Sequence, residues 1–207
     1  MGMDITVLIV EWAHLMHVAP ENRLDVLQES AYSDEDVDSD AIHAGWIWPA
    51  EPERRWLGRY EFEGTLGSYK PHFHAANAWD AVRESVPPTP RAAVDGFLAG
   101  LIWWGPDLEA EGEHIDDGIF PSFDALWRPG PVIVRSPEAV TGLLDTWQQA
   151  KPLLSQLREP YQRVLAPSPE SGRPPADFNG FAQLLAEWAR VIDKAYRYGW
   201  GVVGLPI

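Results

Sequence analysis

The chain contains no cysteine. Disulfides, thiolate nucleophiles and cysteine-ligated zinc are therefore excluded, and the composition fits a cytoplasmic protein, the location expected here. Long apolar runs are missing too. The opening MGMDITVLIVEWAH has no basic stretch ahead of its apolar run of about seven residues, so it is expected to be neither a secretory signal nor a membrane span. Basic residues are scarce: 16 Lys and Arg face 31 Asp and Glu, a net charge of −15. Such a chain lacks the clustered cations that hold phosphate backbones, so no nucleic-acid partner is expected. Nor is there a phosphate-binding G-x-x-x-x-G-K-[ST], a G-x-G-x-x-G after a strand, a G-x-S-x-G or an H-E-x-x-H; EGTLGSYK (63–70) only superficially resembles the first.

What is present points to one packed domain. With 207 residues, 45% of them hydrophobic, the chain can bury a sizeable core. Its 11 Trp residues are a surplus. Trp buries a large apolar area yet needs a partner for its N–H, so a Trp-heavy core and a Trp-lined groove are both open.

Strand and helix signals alternate along the chain. DITVLIV (4–10) is short and β-branched and reads as a buried strand. PENRLDVLQES (20–30) starts with Pro and places Leu24 and Leu27 on one helical face. RRWLGRYEFEG (54–64) alternates Trp56, Tyr60 and Phe62 as a half-buried strand does. PHFHAANAWDAVRES (71–85) reads as a helix stopped by VPPTP. Thr89 is expected to cap the next helix, with Pro90 at its first position and a stripe of Val94, Phe97, Leu98, Leu101, Ile102 and Trp104. Gly96 and Gly100 weaken that helix or allow close packing. PVIVRS (131–136) is a strand, Ser136-Pro137-Glu138 starts a helix carrying Val140, Leu143, Leu144 and Trp147, and a further helical piece covers 152–165. The helix from 178 buries Phe181, Leu184, Leu185, Trp188, Val191, Ile192 and Ala195. Lys194 and Arg197 stand where its dipole favours cations, and Gly199 ends it. WGVVGLPI closes the chain as a strand. Residues 32–40, 105–130 and 166–177 read as an acidic loop, a long loop and a Pro-rich connection. The expected fold is one α+β domain over 1–207: a mixed sheet with helices packed on it, and DITVLIV, PVIVRS and GWGVVGL in that one sheet.

Chemistry-bearing residues are scattered. In EWAHLMH, Glu11, His14 and His17 are candidate metal ligands, but a helical face would spread them across about 120°. The strand runs straight into Glu11 and Pro20 leaves little helix, so a structural role in a strand-to-helix connection is expected, with no metal. His72 and His74 are candidate acid–base residues, yet an H-x-H pair in a helix points about 200° apart. Asp34, Asp36 and Asp38 match the start of a calcium loop, but Ser39 and Gly45 stand where its Gly and closing Glu belong. EAEGEHIDDG (109–118) gathers Glu109, Glu111, Glu113, His114, Asp116 and Asp117, which could bind a divalent ion or act as acid and base. A mobile acidic loop explains them as well.

The stretches MDITVLIVEW, YEFEGTLGSYKPHFHAANAWDAV and EWARVIDKAYRYGWGVVGLP resemble an uncharacterised actinobacterial protein family. VRSPEAVTGLLDTW and FAQLLAEWARVIDKAYRYGWGVVG, in the second half, also resemble YfbM-like proteins of unknown function. That resemblance implies an α+β fold and brings no catalytic residue. From the −15 charge, the Trp surplus and the missing motifs, the function expected is a non-catalytic acidic protein-binding domain, an immunity protein that neutralises a basic toxin being one case. The alternative is a small-molecule-binding domain or hydrolase-like enzyme using His72, His74 and residues 109–117. No cofactor is expected.

Overall fold

A computed structural model describes residues 5–31, 44–63, 71–99, 101–103, 105, 119–120, 130–165 and 177–206. β1 (Ile5–Val10) is β-branched and apolar along its length, and it lies at the centre of a five-stranded sheet. β2 (Gly45–Ile47) and β3 (Leu57–Glu61) extend the sheet on one side, β5 (Gly201–Pro206) and β4 (Ile133–Arg135) on the other, in the order β2-β3-β1-β5-β4. DITVLIV, PVIVRS and GWGVVGL thus share one sheet. The architecture is α+β, as the sequence implies. The expected mixed sheet is corrected, because each described ladder is antiparallel. Strand direction depends on how often the chain crosses the sheet between strands. Several helices separate most strand pairs, so local patterns do not fix that parity.

Alternation along β1 builds two cores. Val7 and Ile9 face a large core, and Leu8 and Val10 a small one. All four are fully buried, which is why the strand reads as continuously apolar rather than alternating. The small core is covered by α1 (Trp12–His17) and α2 (Arg23–Ala31), through Leu15, Leu24 and Leu27, together with Ile119 and Phe120. Arg23, buried in this layer, donates to the backbone oxygens of Val18, Met16 and Ile119.

The large core is covered by α3 (Pro71–Arg83), α4 (Pro88–Leu98), α5 (Pro137–Ala150), α6 (Arg158–Val164) and α7 (Phe178–Tyr198). α7 buries all seven residues assigned to its stripe; each large apolar side chain so buried contributes about 1.5–3 kcal/mol before entropy is counted. Ser136 caps α5, its side-chain oxygen accepting the Ala139 N–H at 3.3 Å. Asp95 of α4 accepts from Arg83 and Trp79 of α3 at 2.7–3.0 Å, joining the two helices.

Three boundaries differ from expectation. Pro87, not Thr89, occupies the N-cap of α4, and no side chain caps it. Prolines early in the first turn have no N–H to satisfy, so the cap is dispensable. α4 ends at Leu98, and Leu101 and Ile102 are buried in the following turn; Trp104 lies outside the described residues. The helical piece 152–165 is a 3-10 stretch, Lys151–Leu157, followed by α6. Gly96 is exposed, and a Cβ there would meet Thr146 Cγ2 at an ordinary 3.6 Å, so close packing does not require it.

Candidate functional site

The sequence candidates do not converge. Glu11 is the exposed N-cap of α1, and its N–H donates to the Trp56 carbonyl at 2.7 Å. His14 stacks on the Trp56 ring, and His17 Nδ1 donates to its own helix at Ala13 O, 2.6 Å away. Among the described residues no three His, Asp or Glu side chains are grouped to hold one metal ion. His72 is buried, edge-on to Phe62 at 4.7 Å and to Trp188 at 5.7 Å. His74, two residues along the same helix, is only half-buried, beside Phe73. The helix turns the two rings away from each other. His114, the rest of 109–117 and the acidic loop 32–40 lie outside the described residues.

A polar seam near His72 went unnoticed in the sequence. Glu187 is buried at 4% exposure within the apolar face of α7. Its Oε2 accepts the Glu63 N–H at 2.9 Å, and Gln183 Nε2 donates to Glu63 Oε2 at 2.7 Å. Nearby, the Tyr60 hydroxyl is hydrogen-bonded to Arg190; burial pushes its pKa up, and Glu187 and Glu63 add to the rise. These bonds moor the end of β3 to α7. Apolar patterning hid Glu187, because a carboxylate between Ala186 and Trp188 reads as part of a solvent face.

The concave site lies elsewhere. Trp46, on the edge strand β2, is paired in register with Tyr60, and their rings meet at 5.0 Å. Trp48, two residues on, follows Trp46 at 5.6 Å. Gly58 lets this happen: a Cβ there would sit 2.6 Å from the Trp48 ring, so the indole lies directly on the β3 backbone. At the other wall α7 ends in a left-handed Gly199, φ 66°, and the Trp200 N–H returns to Ala195 O at 2.9 Å. This reversal sets Tyr198 and Trp200 edge to face at 5.0 Å. Trp48 stands 6.0 Å from Tyr198 and 6.2 Å from Trp200, tilted to both.

The three rings, with Pro49 and Ala50, line an open pocket of about 880 Å³ whose remaining walls are Arg55 and Arg197. That size suits a small organic ligand. The lining carries two guanidinium groups and no carboxylate. Arg197 pairs with Asp193 at 2.9 Å, whereas Arg55 has no carboxylate partner among the described residues. Behind the rings, Lys194 Nζ lies 5.0 Å from the Tyr198 ring, 5.6 Å from Trp48 and 6.0 Å from Trp46, within cation–π range.

The Trp surplus leaves a Trp-lined groove open but does not place one. The signal is the spacing: Trp46-x-Trp48 and Tyr198-x-Trp200 each put two aromatics two residues apart at the end of an element. Compared with protein-family models, curated proteins and solved structures, the chain finds no match.

Proposed function

We propose that this chain is a small-molecule-binding domain whose site is the pocket between Trp48, Tyr198, Trp200, Arg55 and Arg197. One observation carries the reading: three aromatic rings set at angles to one another line a wide concavity, whereas most of the other described aromatics are buried. Ligand pockets are lined mainly by apolar and aromatic side chains with a few placed polar groups, and here Tyr198 is exposed while Trp48 and Trp200 are half-buried. The charged groups of the lining are guanidiniums, which bind and orient but do not act as nucleophile or general base at neutral pH. The pocket therefore offers recognition chemistry rather than acid–base chemistry. The protein-binding alternative rests on net charge, the Trp surplus and the missing motifs, and the most acidic stretches, 32–40 and 109–117, lie outside the described residues.

The experiment is a fragment screen read by the indole N–H signals of ¹⁵N-labelled protein. Trp48 and Trp200 are assigned from Trp48→Phe and Trp200→Phe. Binders are expected to move those two signals and to lose affinity in Trp48→Ala and Trp200→Ala. Binders that leave both signals in place and survive both substitutions would refute the assignment.

A further inference from the structure

Resting on that reading of the pocket, we infer that its ligand is a small molecule joining a flat ring to one anionic group, carboxylate or phosphate. The ring lies among Trp48, Tyr198 and Trp200, and the anion meets Arg55 and Arg197.

Charge selects the class. The chain as a whole carries −15, so its general field repels anions. The pocket departs from that balance: two arginines, one of them paired with Asp193, and no carboxylate line it. Arg55 has no carboxylate partner among the described residues, and none of them takes a hydrogen bond from its fork of donors. Arg197 gives one terminal nitrogen, Nη2, to Asp193 and retains other N–H groups. A planar fork matches the two oxygens of a carboxylate or the oxygens of a phosphate.

The aromatic cluster argues the same way. Tilted rings could in principle cage a cation. Here the cation is built in: Lys194 of α7 already lies against Trp46, Trp48 and Tyr198. A cationic ligand would add a second cation beside the same rings and face two guanidiniums as well. A neutral ring would use the aromatic faces but leave Arg55 unengaged. An anionic ring uses both walls.

The probes are indole-3-acetate, indole-3-acetamide and tryptamine, which share one ring and differ in charge. Inorganic phosphate serves as an anion without a ring. Each is titrated into the whole chain at low and at high salt while the Trp48 and Trp200 indole N–H signals are followed. Indole-3-acetate is expected to bind about tenfold or more tighter than the amide or the amine, the gain of one charge-assisted contact. Added salt should reduce that advantage. The double variant Arg55→Gln, Arg197→Gln should erase the advantage of the acetate over the amide. An amide or amine that binds as tightly as the acetate overturns the inference but leaves the pocket reading intact. So does an advantage that survives the double variant. If no probe moves either signal, the inference falls, and the fragment screen alone decides the pocket reading.

Discussion

His14 lies flat against Trp56, ring centroids 4.3 Å apart and planes 14° from parallel. The His14 imidazole is thus a stacking partner at the strand-to-helix junction. His17 is held by its own helix through Ala13 O. A metal that recruited both would have to break the stack and the hydrogen bond. Zinc, nickel or manganese is therefore expected to shift the melting temperature of the wild type and of a His14→Ala, His17→Ala double variant alike. Stabilisation confined to the wild type would show a site. His14→Ala alone should cost about 0.5–1.5 kcal/mol, the worth of an aromatic pair.

Trp188 is fully buried on α7, 5.0 Å from Phe62. Trp188→Ala should destabilise by about 3–5 kcal/mol, seen as a lower denaturant midpoint at unchanged slope. Its Nε1 has no hydrogen-bond partner among the described residues. Trp188→Phe, which removes that donor and keeps most of the volume, should therefore cost less than about 1.5 kcal/mol. A Phe variant as unstable as the Ala variant would mean that the indole N–H matters more than its volume.

Much of the fold was legible because its signals are local and strong. The stripe of α7, the Ser136 cap and the Gly199 stop each follow from periodicity or backbone chemistry within one element. Strand direction was not legible, since it depends on the path of the whole chain. β2 was missed because three residues, GWI, show no period. The pocket brings residues 48–55 against 197–200, a contact across the length of the chain, and Trp48 reaches its place only because Gly58 has no side chain. Histidines attracted attention as chemical residues, whereas burial and packing decide what His72 and His14 do.

Glycines separate packing from propensity. A Cβ on Gly58 would strike the Trp48 ring, while one on Gly142, in the exposed middle of α5, meets nothing within 4 Å. Gly142→Ala should stabilise by about 0.5–1 kcal/mol. Gly58→Ala should destabilise by about 1–3 kcal/mol and displace Trp48. The checks are urea titrations of both variants and the Trp48 indole N–H signal, which should move in Gly58→Ala and stay in Gly142→Ala. An unmoved signal in Gly58→Ala would sink the claim that the bare backbone seats Trp48.

Arg23 is buried with backbone carbonyls as partners, bridging α1, α2 and the Ile119 segment. Arg23→Met keeps the apolar stem but strips those carbonyls of their donor, and should cost about 2–3 kcal/mol. Arg23→Lys restores the charge without the fork and should recover less than half of that loss. Full recovery by Lys in a urea titration would mean that charge, not the fork, holds the layer together.

Tyr161 sets an alkaline limit on stability. Its ring is buried against Phe181 at 5.0 Å, and its hydroxyl has no hydrogen-bond partner among the described residues. Burial pushes the hydroxyl pKa far above the ordinary tyrosine value, which is about 10 in an unfolded chain. Below that value both states hold the proton and the group adds no pH dependence. Above it the unfolded chain ionises while the buried phenol stays neutral, so the unfolded state binds fewer protons and stability falls as pH rises. The slope from this one group approaches about 1.4 kcal/mol per pH unit. Tyr60, also raised by burial, adds in the same direction. Tyr161→Phe removes the first of these contributions and loses no hydrogen bond to the described residues. Its stability at neutral pH should match the wild type within about 1 kcal/mol, and its decline above about pH 10 should be shallower. Urea titrations at neutral pH and at two pH values above 10 decide the matter. Wild type and Tyr161→Phe falling in parallel would show that the phenol is not held neutral by the fold.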